Sequence, residues 1–124
     1  MISAARRGTP VGERYRLPVV RLPPALAATA TSRVLELLPP PPADVLEVGF
    51  AGIHAAPLRL AGYEVTVVEA DPAYRARAAE RAGAVLEQIP RRRFDAVVAP
   101  ADADLTDVDA ARTLLVEADG TVVG

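Results

Sequence analysis

The stretch DVLEVGFAGIHAAPLRLAGYEVTVVEADP, Asp44 to Pro72, decides how the chain folds. It holds two short apolar runs, Val45 to Val48 and Val65 to Val68. Between them lie Gly49 and Gly52, then a segment with helical spacing that contains Leu58 and Leu60 and closes on Gly62. Pro57 has to stand in the first turn of that helix or kink it, and glycine is a natural stop. A strand, a glycine turn, a helix and a second strand tipped by a carboxylate make a nucleotide-binding half-fold. Glu47 interrupts the first strand. A carboxylate near the end of a central strand is costly to desolvate unless it gains partners, so Glu47 is expected to face a ligand or backbone amides.

Working outward, Pro24 to Leu38 places Leu26, Ala30, Val34 and Leu37 or Leu38 on one helical face. Pro39 to Pro42 ends that helix as a stiff spacer. Asp71 and Pro72 form a helix start, with the acid as cap and the proline in first position, and the helix ends at Gly83. Ala84 to Gln88 reads as a third strand and Ala96 to Ala99 as a fourth, ended by Pro100. Thr106 is expected to cap a helix over Asp107 to Glu117, and Thr121 to Val123 to form a last strand. Upstream, Tyr15 to Leu22 reads as an arm or edge strand, since Pro18 and Pro23 keep it out of a sheet interior. Tyr15 is placed as a lid over the pocket if that arm folds back.

Strict β/α alternation implies parallel pairing through right-handed crossovers. The expected architecture is α/β: a Rossmann-like, doubly wound, parallel five-stranded sheet of order 3-2-1-4-5, residues 24–124, preceded by an arm over residues 1–23. Ligands on such sheets bind at the carboxyl ends of the strands, where the order reverses. That puts Gly49 to His54 and Pro100 to Asp104 on one rim.

Composition narrows the chemistry. The chain has 124 residues with 51% apolar content, which makes one domain with a core of ordinary size. It has no cysteine and a single histidine, which excludes disulfides and thiolate metal sites and disfavours zinc. No metal is expected. No apolar run approaches the ~20 residues of a membrane span, and MISAARRG lacks the apolar stretch of a secretory signal; the expectation is a soluble cytoplasmic protein that engages no membrane. The net charge is −2, so a nucleic-acid partner is not expected either. Residues 1–33 carry six Arg against Glu13, and residues 94–124 seven carboxylates against Arg112. Opposite charge at the two ends suits their meeting within one chain or across a homodimer.

VLEVGFAG, VTVVEADP, FDAVVAP and LLVEADGTVVG, in that order, resemble the successive motifs of class I S-adenosylmethionine-dependent methyltransferases. Glu69 stands 20 residues after Gly49. The resemblance covers Pro24 to Gly124. It implies S-adenosylmethionine as cofactor, with Glu47, Gly49, Phe50, Ala51 and Gly52 beside its methionine part. Glu69 and Ala70 would lie at the ribose, and Gln88 nearest the adenine. It also implies a small-molecule methyl acceptor, with His54 and Asp102 as candidates on the catalytic side. The chain departs from the family's EVGxGxG pattern at Ala51 and Ile53. An alanine at the second glycine position is tolerated if its φ stays negative. The family's final antiparallel hairpin is expected to be missing, leaving a bare fifth strand. These departures support an alternative, a non-catalytic module that keeps the fold as partner subunit or ligand sensor. A nicotinamide site ranks low, because Ala51 and His54 stand where it needs glycines.

Overall fold

The computed structural model describes residues 24–124; the arm over residues 1–23, the Tyr15 lid and the strand at 15–22 lie outside them. The elements in chain order are α1 (Pro24–Leu37), β1 (Asp44–Val48), α2 (Ala55–Leu60), β2 (Glu64–Val68), α3 (Pro72–Ala82), β3 (Val85–Leu86), β4 (Arg93–Pro100), β5 (Asp109–Val116) and β6 (Val122–Val123). The fold is α/β, with a mixed, mostly parallel sheet of order β3-β2-β1-β4-β5-β6. Central β1 pairs parallel with β2 on one side and β4 on the other. It is buried from Val45 to Val48, which explains its near-continuous apolar run.

Three expectations fail here. The segment Asp107 to Glu117 is not a helix; its middle is β5, paired parallel with β4 from Arg93↔Asp109 to Pro100↔Val116. Ala110, Ala111, Arg112, Leu114 and Leu115 are good helix formers, but intrinsic propensity is a weak force that tertiary pairing overrides. An eight-residue edge of β4 offers a ladder of hydrogen bonds instead, and Leu114 and Val116 turn inward with the period of a strand. The sheet therefore has six strands rather than five, and Asp109–Val116 takes the place expected for Thr121–Val123.

The sheet is also not wholly parallel: a short antiparallel strand ends it. Asp119 accepts a hydrogen bond from the Thr121 amide at 2.9 Å, Gly120 has φ +89°, and the tight turn sends β6 back antiparallel along β5. So short a connection allows no parallel crossover. The cover is partial: β6 pairs only with Leu115 and Val116, and among the described residues no strand lies along the outer edge of β5 from Asp109 to Leu114.

The described helices all lie against one face of the sheet, so the double winding is not observed. Ala30 and Val34 of α1, Leu58 of α2, and Ala78 and Ala82 of α3 share one apolar layer with Val45, Val67, Val98 and Leu114. The opposite layer, Leu46, Val48, Val68, Phe94, Val97 and Ala99, is covered by the connections carrying Ile89, Ala103, Leu105 and Val108. The β4–β5 crossover is irregular: Thr106 caps nothing, and its amide and hydroxyl both bond Asp104 Oδ1 at 3.0 and 2.6 Å.

Other local readings match the fold closely. Asp71 accepts from the Ala73 amide at 2.9 Å and Pro72 opens α3. Pro57 lies in the first turn of α2, and Gly62, φ +102°, ends it. Leu60 is 91% exposed and contributes nothing to the core. The third strand shrinks to Val85–Leu86, while the fourth extends to Arg93–Pro100.

Candidate functional site

The rim at the carboxyl ends of β1 and β2 is set by their register. Val48 pairs with Val68, and the Gly49 amide reaches Val68 O at 3.4 Å, so Gly49 and Glu69 are the next positions on adjacent strands. Parallel neighbours lie about 4.8 Å apart. Side chains alternate along a strand. Glu47 therefore shares the helix-covered face with Val45, and Glu69, continuing β2, shares it with Val65 and Val67.

Glycine geometry draws the turn close. Gly49 has φ +80°, and a Cβ there would stand 3.2 Å from the Pro100 ring, so the turn and the end of β4 do meet on one rim. Gly52, φ +77°, packs on α3, with Ala82 Cβ 3.3 Å from where its own Cβ would be. Ala51 does not meet the condition for an unstrained alanine: its φ is +51°, not negative. It stands between Phe50 and Gly52 in the tight turn, and alanine in this left-handed region stores about 1–2 kcal/mol of strain. Arg81 of α3 holds the loop by donating to Ala51 O at 3.2 Å. Arg75 of the same helix donates to Glu69 O at 3.1 Å and Ala70 O at 3.0 Å. Two stability effects of opposite sign follow. Ala51→Gly gains about 1 kcal/mol by releasing strain, and Gly49→Ala loses about 2 kcal/mol by adding strain and pressing on Pro100. Urea unfolding of both variants measures them.

The polar groups on this rim are short of partners. Glu47, fully buried, accepts the His54 amide on Oε1 at 3.0 Å, and its Oε2 has no hydrogen-bond partner. Glu69, 1% exposed, accepts the Asp71 amide on Oε2 at 3.2 Å, and its Oε1 has none. His54 precedes α2, is fully buried, and sets its ring edge-on to Phe50 with centroids 4.8 Å apart. Its Nδ1 meets Thr31 Oγ1 at 2.7 Å; Nε2 has no partner.

Burial dominates the electrostatics. It pushes the Glu47 carboxyl up from 4.5 to about 7, against the His54 and Gly52 amides and the Arg81 guanidinium, with the Glu69 charge adding to the rise. Glu69 is raised too, first by burial and then by the Asp71 carboxylate, while the Asp71 and Ala51 amides and Arg75 oppose it. Burial alone lowers His54 from 6.5 to about 4, so the imidazole is neutral. Two carboxylates close enough to repel, buried and half-satisfied, are expensive to keep without a compensating role.

Comparison with protein-family models, with curated proteins and with solved structures gave no match. The rim's own chemistry carries the reading.

Of the residues singled out from sequence, Glu47, Gly49, Phe50, Ala51, Gly52, His54 and Glu69 are brought together and buried. Ala70 borders them, half-buried. Gln88 and Asp102 are exposed, the first beyond the end of β3 and the second in the loop after β4. Neither has a hydrogen bond that ties it to the rim. Thr31, Arg75 and Arg81 went unseen. Thr31 left a trace, a hydroxyl on the apolar face of α1 between Ala27 and Val34; the arginines sit in the run RARAAERA, Arg75 to Ala82, and left none. Among the described residues no three His, Cys, Asp or Glu side chains gather to hold a metal ion, and no helix is long and apolar enough to cross a membrane.

Proposed function

We propose that the chain binds S-adenosylmethionine at the β1–β2 rim and acts as a methyltransferase-like protein on a small-molecule acceptor. The observation that carries this is the set of buried polar atoms without partners: Glu47 Oε2, Glu69 Oε1 and His54 Nε2. A ligand for that set brings hydrogen-bond donors and positive charge. S-adenosylmethionine has both, in a ribose diol, an ammonium and a sulfonium. Dinucleotides and nucleoside triphosphates would bring phosphate oxygens toward two carboxylates, which repel them. The order of sequence motifs adds independent support, as does the loop strain held at Ala51.

Glu69 takes the ribose hydroxyls in this reading, because an ionised carboxylate accepts from two donors at once. Gly49 to Gly52 supply the close backbone approach that the methionine part needs. The sulfonium carries its own leaving group, so transfer depends mainly on holding the acceptor in line, and scarce acid–base residues are no obstacle. Both carboxylates are closed to solvent, so entry of the ligand requires the groups covering them to draw back.

A second reading, a non-catalytic cofactor-binding module, draws on the catalytic-side candidates. Asp102 is exposed, and His54 is a weak base with its ring buried. Titration calorimetry with S-adenosylmethionine, followed by a turnover assay over nucleophilic small molecules, decides between the two. Binding with turnover supports the enzyme, binding without turnover the module, and no binding rejects both.

A further inference from the structure

His54 is the chain's single histidine, and the notable thing about it is what holds it. Thr31, on the buried side of α1, has one hydroxyl proton. Its Oγ1 lies 2.9 Å from Ala27 O, the carbonyl one helical turn back, and 2.7 Å from His54 Nδ1. A carbonyl only accepts, so the hydroxyl proton goes to Ala27. The oxygen's lone pair then faces Nδ1, which must carry the imidazole proton. That leaves Nε2 as a bare lone pair, buried and without a partner. The neutral ring has one donor and one acceptor; Thr31 uses the donor and nothing in the described chain meets the acceptor.

Among the described residues no donor meets Nε2. Phe50 presents a ring edge. Glu47 accepts the His54 backbone amide and is itself short of a donor. A buried imidazole acceptor left unmet costs roughly as much as a lost hydrogen bond. It persists beside two carboxylates in the same condition, on the rim where the ligand is placed above.

We infer that His54 is a ligand-binding residue: its Nε2 accepts a hydrogen bond from a hydroxyl or ammonium of the bound molecule, and Thr31 is the positioning residue that fixes the tautomer. His54 is thereby a hydrogen-bond acceptor and not the proton-taking base of a catalytic step. This rests on the cofactor reading for the identity of the ligand, but the tautomer does not.

With one histidine, long-range ¹⁵N–¹H correlation spectra of labelled protein are free of overlap. At neutral pH the expected spectrum shows Nδ1 protonated and Nε2 with the shift of a bare, pyridine-like nitrogen. Saturation with S-adenosylhomocysteine moves the Nε2 resonance upfield and leaves Nδ1 in place. Thr31→Val releases the tautomer, so that Nε2–H becomes populated, and weakens S-adenosylhomocysteine binding roughly tenfold; Thr31→Ser, which keeps the hydroxyl, restores both. A wild-type spectrum with Nε2 protonated overturns the Thr31–His54 assignment, and needs no variant to fold. Saturable binding with an unmoved Nε2 overturns the ligand contact while leaving the cofactor reading intact. No binding at all by wild type, with the expected tautomer, rejects the cofactor reading and the contact together, but keeps Thr31 as the residue that sets the ring.

Discussion

Glu47→Gln is expected to leave the stability of the ligand-free protein nearly unchanged at about pH 5 and to raise it by about 3 kcal/mol at about pH 8. Burial lifts the Glu47 carboxyl from 4.5 to about 7. Between those values the folded chain keeps a proton that the unfolded chain has released, so stability falls as pH rises. Above about pH 7 both states are ionised and the loss is complete. Glutamine removes it, while its carbonyl still accepts the His54 amide. The comparison with wild type matters because His54 runs the other way. Its pKa is lowered from 6.5 to about 4, so the unfolded chain takes a proton that the fold refuses, and stability falls as pH drops through that window. Over pH 4.5 to 6.5 the Glu47 and His54 trends offset each other, and Glu69, raised by burial, adds to the Glu47 side. The wild-type profile alone therefore conceals the effect. Urea unfolding of both proteins at the two pH values isolates it; equal destabilisation by Glu47→Gln at both would mean an ionised, well-paired carboxylate.

Glu69→Gln is expected to weaken S-adenosylmethionine binding by about a hundredfold or more. Hydrogen bonds to a charged acceptor contribute roughly 1.5–3 kcal/mol each. Two ribose hydroxyls lose the charge, and one of them meets an amide donor instead of an acceptor. A combined loss near 3 kcal/mol is about a hundredfold in Kd. The same variant should unfold no more easily than wild type above pH 7, because it no longer buries a raised carboxyl. Stability kept or gained while affinity is lost marks a residue retained for binding. Calorimetry and urea unfolding on one preparation supply both numbers, and undiminished affinity would remove Glu69 from the ribose.

What could be read ahead of the structure was local. The apolar runs at Val45–Val48 and Val65–Val68 need burial on both faces, which a central parallel pair provides. The spacing from Gly49 to Glu69 fixes a register that the fold keeps. Failures came where long-range partners decide. Asp109–Val116 is written in helix-compatible residues and became a strand because β4 offered an unpaired edge. The Asp119–Gly120 turn was visible, but its consequence, an antiparallel return, depends on β5 lying directly before it. An alanine at position 51 was read as tolerable at negative φ; its φ is positive, and Arg81, remote in sequence, donates to its carbonyl. Thr31 and His54 stand 23 residues apart, and their contact exists only once α1 packs beside the glycine turn.

The central claim is that the two strand-tip carboxylates are held short of partners for an adenosyl ligand. A crystal structure grown with S-adenosylhomocysteine tests it most directly. The account predicts both ribose hydroxyls within hydrogen-bond distance of Glu69, with the turn from Gly49 to Gly52 against the amino-acid end. A ligand bound elsewhere, or Glu47 Oε2 and Glu69 Oε1 still without partners at saturation, would contradict it.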